Sequence, residues 1–538
     1  MLHLSACLAT VAPRLPDSPF PVSQQPTDIT LWNITTSNFD ERVLALSAVG
    51  IVAQRRPDLA TVDAADSRGA ALGAWHLSLL PAKLDTSIAL EPEALLRRFA
   101  SDFRGYILCE SGGQRSNNSM HVAVGLAGVL AALVVTPSTV ALAEAAGLKM
   151  VVDARTLSLE ESFMQHGANF SKTLLFNQQH ANLVYTTDFA VYAKAFALYD
   201  ATLTGPLSHR ALARLSPISM VLGWASEVEF VTSASRHGHQ VLCSDFTTNV
   251  PVYSNFAPPR VPLPPPPHEC STSSTDEKHT VAFMFTDGDS ITWDLGNFIS
   301  PAFDWWGSAA RGKAPITWTF QPMLQELHPY FLHWIHKTKA EDDVLIAGPS
   351  GAGYTYLDQY PSAGNERAAR ARFANWSAVS IAQAGFTNMV NQIQVGLYSD
   401  SVEYETLDAQ PAPPAAVFVD EEVQLSIKGA AWRVRDAKGR PTDTVVTSRR
   451  HCLSNTFGDV TPDSLVEILN HAPADPTSTS SYSVVGVEVW SYGVNDIVAV
   501  VARLNASRVR VVGTDEYVAC LKQHALPISA KGRPTENK

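Results

Sequence analysis

The stretch "VAFMFTDGDS" at residues 281–290 decides the fold of the second half of the chain. Its apolar run, Val281 to Phe285, is typical of a buried strand, and two aspartates separated by one glycine follow. Side chains at positions i and i+2 of an extended chain point the same way, so Asp287 and Asp289 can face one pocket. Like charges held this close repel each other, which is tolerated more readily at a metal or reaction site. The alternative is a plain turn, because Asp-Gly is a common turn dipeptide.

Short apolar segments alternate with helical patterns on both sides of this stretch. Before it, "RGYILCE" (104–110) predicts a strand and "EPEALLRRFASDF" (91–103) predicts a helix; after it, "DVLIAG" (343–348) predicts a strand. This alternation is typical of βα units and of a parallel sheet or barrel. In such folds functional sites form at the carboxyl ends of the strands. Asp287 and Asp289 would lie at such an end.

A proline-dense segment divides the chain. Proline-rich sequence favours stiff polyproline II, and the Ser/Thr-rich sequence that follows it is flexible, so a linker is predicted. The predicted organisation is a tail or weak signal peptide at 1–27, an amino-terminal α/β domain at 28–256, the linker at 257–277, a β/α domain at 278–525 and a tail at 526–538.

Composition excludes several classes of protein. Acidic residues outnumber basic ones by 52 to 40, giving a net charge of −12, which argues against a nucleic-acid partner. No apolar stretch reaches the roughly 18 residues of a membrane helix, so no membrane partner is expected. The six cysteines are far apart and include no C-x-x-C pair, which argues against a zinc ribbon. Five N-x-S/T sequons favour secretion only slightly, and the oligomeric state stays open.

A glycine-rich loop, "GPSGAGYTYLDQYP" (348–361), follows the third predicted strand of the second half. Its glycines permit a tight turn and close approach of a ligand, and Tyr354 and Tyr356 supply rings and hydroxyls. A phosphate loop is excluded because no Gly-Lys-Ser/Thr follows, and a dinucleotide fingerprint is excluded by the glycine spacing. The alternative is an ordinary strand-to-helix loop.

Here a resemblance becomes specific. "SGAGYTY" resembles the signature of the GxGYxYP family of proposed glycoside hydrolases, with Leu357 in place of the final proline. "FTDGDS" resembles the DGD segment of that family, with Ser290 where Asn is usual, and "VVGVEVW" resembles a closing V-H-x-W segment, with Glu488 where histidine is expected. Residues 222–254 resemble a G-W…S-D…N segment of its first domain. The resemblance covers roughly residues 35–525.

The resemblance implies an α/β architecture: an amino-terminal domain of divergent repeats, then a seven-stranded β/α barrel, with the active site in the cleft between them. It also implies a catalytic group of one glutamate from the first domain and both DGD aspartates, here Asp287 and Asp289. The glutamate falls in "GWASEVEF", where spacing to the following "FV" favours Glu227 and leaves Glu229 in reserve. A solvated helix face is the alternative for either glutamate.

The implied chemistry is coherent. Glycoside cleavage needs one carboxylic acid to protonate the leaving oxygen and one carboxylate to activate water or attack carbon. Glu227, near Trp224 in a closed cleft, is the expected acid, and Asp287 or Asp289 the expected base. An acid and a base on different domains predict wide separation and an inverting outcome. No cofactor and no metal ion are predicted.

Sugar recognition needs flat apolar faces and hydrogen-bonding groups. The predicted substrate contacts are Trp224, Trp293, Tyr354, Tyr356, Asp245 and Asn249, with Trp305 and Trp306 as further stacking candidates. Packing in the core is the alternative for each tryptophan. The expected partner is a poly- or oligosaccharide.

Two other functions stay open on the sequence. A metal-dependent polysaccharide deacetylase would use an aspartate pair and a helical histidine pair; His333 and His336 lie at i, i+3, whereas i, i+4 is usual in those enzymes. A non-catalytic carbohydrate-binding protein would hold glycan in the same cleft without cutting it. The departures at Ser290, Leu357 and Glu488 keep this second possibility open.

Overall fold

The computed structural model describes most of the chain. The described residues are 18–65, 72–85, 91–111, 118–257, 259, 269–300, 303–360, 366–393, 410, 413–421, 428–436, 438–456 and 458–528. Most of the two predicted tails, and ten of the 21 residues of the predicted linker, therefore lie outside them. Within the described part, no helix has the length and hydropathy needed to cross a bilayer.

The amino-terminal half contains three small sheets, each entirely parallel. The strands are β1 Asp28–Asn33, β2 Leu59–Val62, β3 Lys83–Asp85, β4 Gly105–Leu108, β5 Ala132–Val135, β6 Met150–Asp153, β7 Leu174–Asn177, β8 Phe196–Leu198, β9 Met220–Gly223 and β10 Gln240–Cys243. Their orders are β2-β1-β3, β5-β4-β6 and β10-β9-β7-β8. Three successive sheets of this kind agree with an amino-terminal part built of divergent α/β units.

Helices cover these sheets. They are α1 Phe39–Ala53, α2 Gly73–Ser78, α3 Pro92–Arg98, α4 Ser119–Leu130, α5 Val140–Ala145, α6 Leu159–His166, α7 Thr187–Tyr192, α8 Pro206–Ala213, α9 Glu227–Arg236 and α10 Val250–Tyr253. The start of α1 is fixed by a capping box in which the Asn38 and Glu41 side chains bond each other's backbone N–H. The helix packs closely on α7, because a Cβ on Gly50 would lie 2.4 Å from the Asp188 carbonyl oxygen.

The carboxyl-terminal half contains one large mixed sheet of ten strands among the described residues. They are β11 His279–Phe285, β12 Ile316–Phe320, β13 Asp343–Ala347, β14 Met389–Ile393, β15 Ala416–Glu421, β16 Ala431–Arg435, β17 Pro441–Ser448, β18 His451–Leu453, β19 Tyr482–Val487 and β20 Val509–Val511. The order is β16-β17-β15-β14-β13-β12-β11-β19-β18, with β20 also paired to β11. Only β16 and β17 pair antiparallel within this described sheet. The predicted βα rhythm is confirmed, and the described strands form a mixed sheet.

The helices of this half lie between the parallel strands. They are α11 Ile291–Leu295, α12 Leu324–Leu327, α13 Pro329–Thr338, α14 Glu366–Gln383, α15 Pro462–Asn470, α16 Val494–Val501 and α17 Thr514–Cys520. Strand β11, which includes the apolar run Val281 to Phe285, is buried along its whole length. The uninterrupted apolar run is explained by its central position, between β12 on one side and β19 on the other.

The two halves are joined by backbone contacts and by a shared core. Val241 of β10 and Tyr354 of the glycine-rich loop exchange two backbone hydrogen bonds of 2.8 and 2.9 Å. Nearby, Cys243 bridges to Ser290 in parallel fashion. One continuous hydrophobic cluster contains buried residues of both halves. A disulfide between Cys270 and Cys520 also ties the end of the predicted linker to α17.

Candidate active site

A cavity of about 360 Å³ lies at the carboxyl ends of the strands in the large sheet. Residues that follow or end β11, β15 and β19 line one side, and residues of β10, α9 and their flanking loops line the other. Six of the lining side chains are carboxylates: Glu227, Asp245, Asp287, Asp289, Asp420 and Glu488. All three predicted catalytic residues therefore meet in one cavity, although they come from different halves of the chain.

The glycine between the two aspartates lets the loops around the cavity approach each other. A Cβ on Gly288 would lie 2.3 Å from the Thr319 carbonyl carbon of β12. A Cβ on Gly348, at the start of the glycine-rich loop, would lie 2.3 Å from the Gly288 carbonyl oxygen. The Gly288 N–H also donates to Thr319 Oγ1 at 3.1 Å. Asp-Gly-Asp is thus more than a turn: the glycine is needed where three backbones meet.

Asp287 is held by two donors. The Trp490 indole N–H donates to Asp287 Oδ2, and the Thr286 hydroxyl donates to Oδ1 at 2.8 Å. Burial nevertheless raises the pKa of Asp287 to about 6, and the negative charges of Glu488 and Asp420 act in the same direction while both hydrogen bonds oppose the shift. Near neutral pH this carboxyl is therefore within reach of both of its protonation states.

Glu227 is the glutamate that faces the cavity. It is the first residue of α9, and its Oε1 accepts a hydrogen bond of 2.8 Å from the Tyr354 hydroxyl. Trp224 stacks on Tyr354 with ring centroids 5.9 Å apart, and both rings line the cavity. Glu229 is exposed and accepts a 2.6 Å hydrogen bond from Ser226, which lowers the pKa of its carboxyl. Of the two sequence candidates, only Glu227 is a lining residue.

Asp245, a predicted substrate contact, also lines the cavity and accepts a 3.0 Å hydrogen bond from the Thr292 hydroxyl. This bond links the loop after β10 to α11. Asp245 therefore combines a position at the cavity wall with a role in holding the two halves together.

Three predicted substrate contacts do not line the cavity, because their side chains are buried in the core. Trp293 is 1% exposed and packs against Phe298 and Trp305. Tyr356 is fully buried behind Tyr354, with the two hydroxyls 3.5 Å apart. The buried Asn249 side chain accepts from the backbone N–H of Thr61 and donates to its carbonyl oxygen, both at 2.8 Å.

The remaining tryptophan candidates are core residues too. The Trp305 indole N–H donates to the Val489 carbonyl oxygen at 3.0 Å, and that of Trp306 donates to the Thr338 hydroxyl at 3.1 Å. Both side chains are buried, so the packing alternative holds for them.

The residues of the cavity wall that sequence reasoning missed include Asp420, Arg449, Glu488 as an acidic lining residue, and Trp490. Asp420 lies on β15 and forms an ion pair of 2.9 Å with Arg449. The strand-end reasoning used for Asp287 would also have selected Asp420, which follows the apolar segment "AAVFV". Trp490, at 60% exposure, is the tryptophan of the V-H-x-W-like segment, so the motif itself carried the signal.

The histidine pair lies away from this cavity. His336 lines a second cavity, of about 490 Å³, beside the first residues of β13, and so at the opposite end of the parallel strands. Its Nε2 lies 2.8 Å from the Ala384 carbonyl oxygen, and burial lowers the pKa of its ring. Within the described ranges, no group of three or more His, Cys, Asp or Glu side chains is arranged to hold a metal ion. The pair cannot join Asp287 and Asp289 in the metal centre that a deacetylase would need.

The fold and the cavity define an α/β protein with carboxylates gathered at the strand ends of its large sheet. Family models match three successive parts of the chain: "GxGYxYP_N second domain" at residues 103–169, "GxGYxYP third domain" at 172–255 and "GxGYxYP putative glycoside hydrolase C-terminal domain" at 277–522. The chain therefore belongs to the GxGYxYP family, which assigns it at the level of class to the hydrolases.

A solved structure has the same fold. It is the crystal structure of "a putative hydrolase from Bacteroides thetaiotaomicron", which superimposes with a TM-score of 0.83 at 22% sequence identity, over 96% of this chain and 99% of that one. At this identity the likeness shows the fold alone. No curated protein matches the sequence.

Proposed function

We propose that the protein hydrolyses glycosidic bonds of a poly- or oligosaccharide in the acid-lined cavity. The observation that carries this proposal is the convergence of Glu227, Asp287 and Asp289 on one cavity. Carboxylates in pairs are the groups that glycoside cleavage needs, for proton donation and for activation of water. Trp224, Tyr354 and Trp490 line the same cavity and offer ring faces on which a sugar can stack.

The raised pKa of Asp287 favours this residue as the proton donor, which differs from the assignment expected from the sequence. A general acid needs a raised pKa, and burial raises the pKa of Asp287 to about 6. Glu227, fixed by the Tyr354 hydroxyl, then activates the attacking water, and Asp289 orients it. Because acid and base come from different halves of the chain, the proposed outcome is inversion at the anomeric carbon.

The large sheet supports a further structural proposal, a closed seven-stranded barrel. Strand β17 pairs with β15, while β18, which begins three residues after β17 ends, pairs with β19. If β17 and β18 are two parts of one bent strand, the ring β11, β12, β13, β14, β15, β17–β18 and β19 closes on β11. A closed ring of this kind is supported by the position of Asp420, Glu488 and Asp287 at one cavity.

The test is a screen of polysaccharides and oligosaccharides for release of reducing ends. Glu227→Gln, Asp287→Asn and Asp289→Asn should each lower turnover by about 100-fold or more, the usual loss when a catalytic acid or base is removed. Glu229→Gln is the matched control, because that exposed carboxylate does not line the cavity, and it should retain activity. Glycan binding without turnover by wild type would instead show a carbohydrate-binding protein.

The stereochemistry has its own measurement. In anomer-resolved NMR of the first product formed, an inverting enzyme gives the anomer opposite to that of the substrate. Retention would contradict the proposed division of roles, because it requires a nucleophilic carboxylate close to the acid.

The proposed acid also predicts the pH profile. Asp287 must be protonated to donate, so kcat/KM should fall as pH rises through about 6, the pKa of its carboxyl. If Asp287 is instead the base, kcat/KM falls as pH drops through the same value. A fall of kcat/KM above pH 6 would therefore indicate that Asp287 is the acid, and a fall below pH 6 would indicate that it is the base.

A further inference from the structure

If the proposed function holds, the negative charge of the cavity wall limits the kinds of glycan that can bind there. Six carboxylates line the cavity, and Arg449 is the one Lys or Arg side chain among the described lining residues. With every group ionised the wall would carry a formal charge of −5, that is, six negative charges less one positive charge. Like charges confined in one cavity repel one another, so a bound cation lowers the electrostatic energy of this wall.

The Arg449 guanidinium already forms an ion pair within the protein. Arg449 lies 2.9 Å from Asp420, and the two side chains are only 11% and 8% exposed. An ion pair this deep cannot be given up to a ligand carboxylate or sulfate without leaving Asp420 buried beside the new negative charge. A uronic acid or a sulfated sugar would therefore meet a wall of its own sign.

Two of the carboxylates, Asp287 and Glu488, lie close to the exposed aromatic ring of Trp490. Trp490 is 60% exposed and its indole N–H binds Asp287, while Glu488, two residues earlier, lines the cavity and accepts hydrogen bonds from Ser454 and Ser491. An aromatic face next to a carboxylate is suited to a sugar that carries an ammonium group, through stacking, cation–π attraction and an ion pair.

We infer that the glycan bound in this cavity contains hexosamine residues with free amines, and that Glu488 together with Trp490 selects them. This inference rests on the proposed function for its site, whereas its test measures binding and so can fail separately. Glu488 is a specificity residue in this scheme and takes no part in proton transfer.

The experiment compares affinities by calorimetry for glucosamine oligosaccharides, their N-acetylated counterparts and galacturonate oligosaccharides, each in α- and β-linked forms. For the wild-type protein we expect the free-amine form to bind about tenfold more tightly than the acetylated form, the equivalent of one well-placed charge interaction. That ratio should shrink as salt is added, because salt screens a half-exposed ion pair.

Variants show whether Glu488 and Trp490 cause the preference for free amines, rather than the overall negative charge of the chain. Glu488→Gln should reduce the amine-to-acetyl affinity ratio about fivefold, within the range for a partly exposed charge pair. Trp490→Leu should weaken binding of both forms, and of the free-amine form more, because that form also loses the cation–π contact. Glu229→Gln removes one negative charge outside the cavity and should leave the ratio at its wild-type value.

Equal affinity for free-amine and acetylated oligosaccharides, tighter binding of galacturonates, or no binding of any free-amine oligosaccharide would each overturn the inference. Cleavage of neutral glycans with no preference for amines would overturn it while supporting the proposed hydrolase. Selective binding of the free-amine form with no release of reducing ends would support it while contradicting the proposed hydrolysis.

Discussion

At the scale of single residues, Asp287 carries two unfavourable features at once. Its backbone has φ +66°, in the left-handed region that Asp tolerates better than most residues but that still costs free energy. Its carboxyl is also largely removed from water, which raises its pKa. Costs of this kind concentrate at functional sites, where the surrounding structure holds a residue in place against them.

The Asp287 pKa predicts a pH-dependent change in stability. Its folded-state pKa of about 6 exceeds the ordinary value of 3.8, so the folded state binds the extra proton and the free energy of unfolding falls as pH rises between these values. Asp287→Asn should therefore stabilise the protein above pH 6, by about 1–2 kcal/mol because the side chain keeps some exposure. Thermal unfolding at pH 7.5 and pH 4 measures this, and a gain that is equal at both pH values would contradict it.

Tyr354 predicts a separate effect on catalysis. Tyr354→Phe keeps the ring against Trp224 but removes the hydroxyl that donates to Glu227, so kcat should fall by about tenfold, a typical loss for one charge-assisted hydrogen bond. Steady-state kinetics and thermal unfolding would be measured together. Tyr199→Phe, at an exposed ring, is the matched control, and a change in KM alone would show that Tyr354 only binds substrate.

At the scale of elements, the loops that follow β11 and β13 hold the site together through glycines. Gly288 and Gly348 meet backbone to backbone, and Gly353 lies against β10. These contacts explain why a glycine-rich segment follows β13 although no phosphate motif is present. The loop binds protein backbone, and through Tyr354 it places a side chain at the cavity.

Gly353→Ala tests this contact. The new Cβ would lie 2.6 Å from the Gln240 Cβ of β10, so the loop must move away and the paired backbone bonds between Val241 and Tyr354 should weaken. We expect a loss of about 1–3 kcal/mol in the free energy of unfolding, as for other overpacked sites. Gly73→Ala is the control, because its Cβ would meet nothing closer than 3.6 Å. Equal stability of the two variants would contradict the close packing.

In the large sheet the sequence missed β16, β17 and the short, buried β18, and it predicted the other strands. Strand β11 contains the apolar run Val281 to Phe285, and β12 alternates threonine with large apolar residues. In contrast, β16 is half-exposed and β17 begins with polar residues, so neither shows a clear strand pattern. Motif position identified Asp287, Asp289 and Tyr354 at the cavity. It could not tell that Trp293 faces the core, because closeness in sequence does not say which face of a short helix carries a side chain.

At the scale of the whole molecule, the cavity depends on both halves. Glu227, Trp224 and Asp245 come from one half and the remaining carboxylates come from the other. Bridges at Tyr354 and Ser290 and a common hydrophobic core fix the two halves against each other. The sequence indicated a cleft between two domains, but the extent of the shared core could not be predicted, since it depends on contacts between residues far apart in the chain.

Reduction of the disulfide tests how much the Cys270–Cys520 bond contributes to the stability of the folded protein. Cys270 and Cys520 are 250 residues apart, so their bond strongly restricts the unfolded chain, and its loss should cost about 2–5 kcal/mol. A reductant should therefore lower the melting temperature, and Cys270→Ser should lower it without reductant. Cys109, Cys243 and Cys452 are free thiols, so reductant should not change the melting temperature of the Cys270→Ser protein.

The same bond has a consequence for the fate of a damaged molecule. Because Cys270 and Cys520 are linked, the backbone between them forms a ring, and a ring cut once by a protease remains a single molecule. Such a nicked protein would migrate as one band on a non-reducing gel and as two bands after reduction. An enzyme exposed to proteases could thus lose one peptide bond in the second half and keep its strands attached.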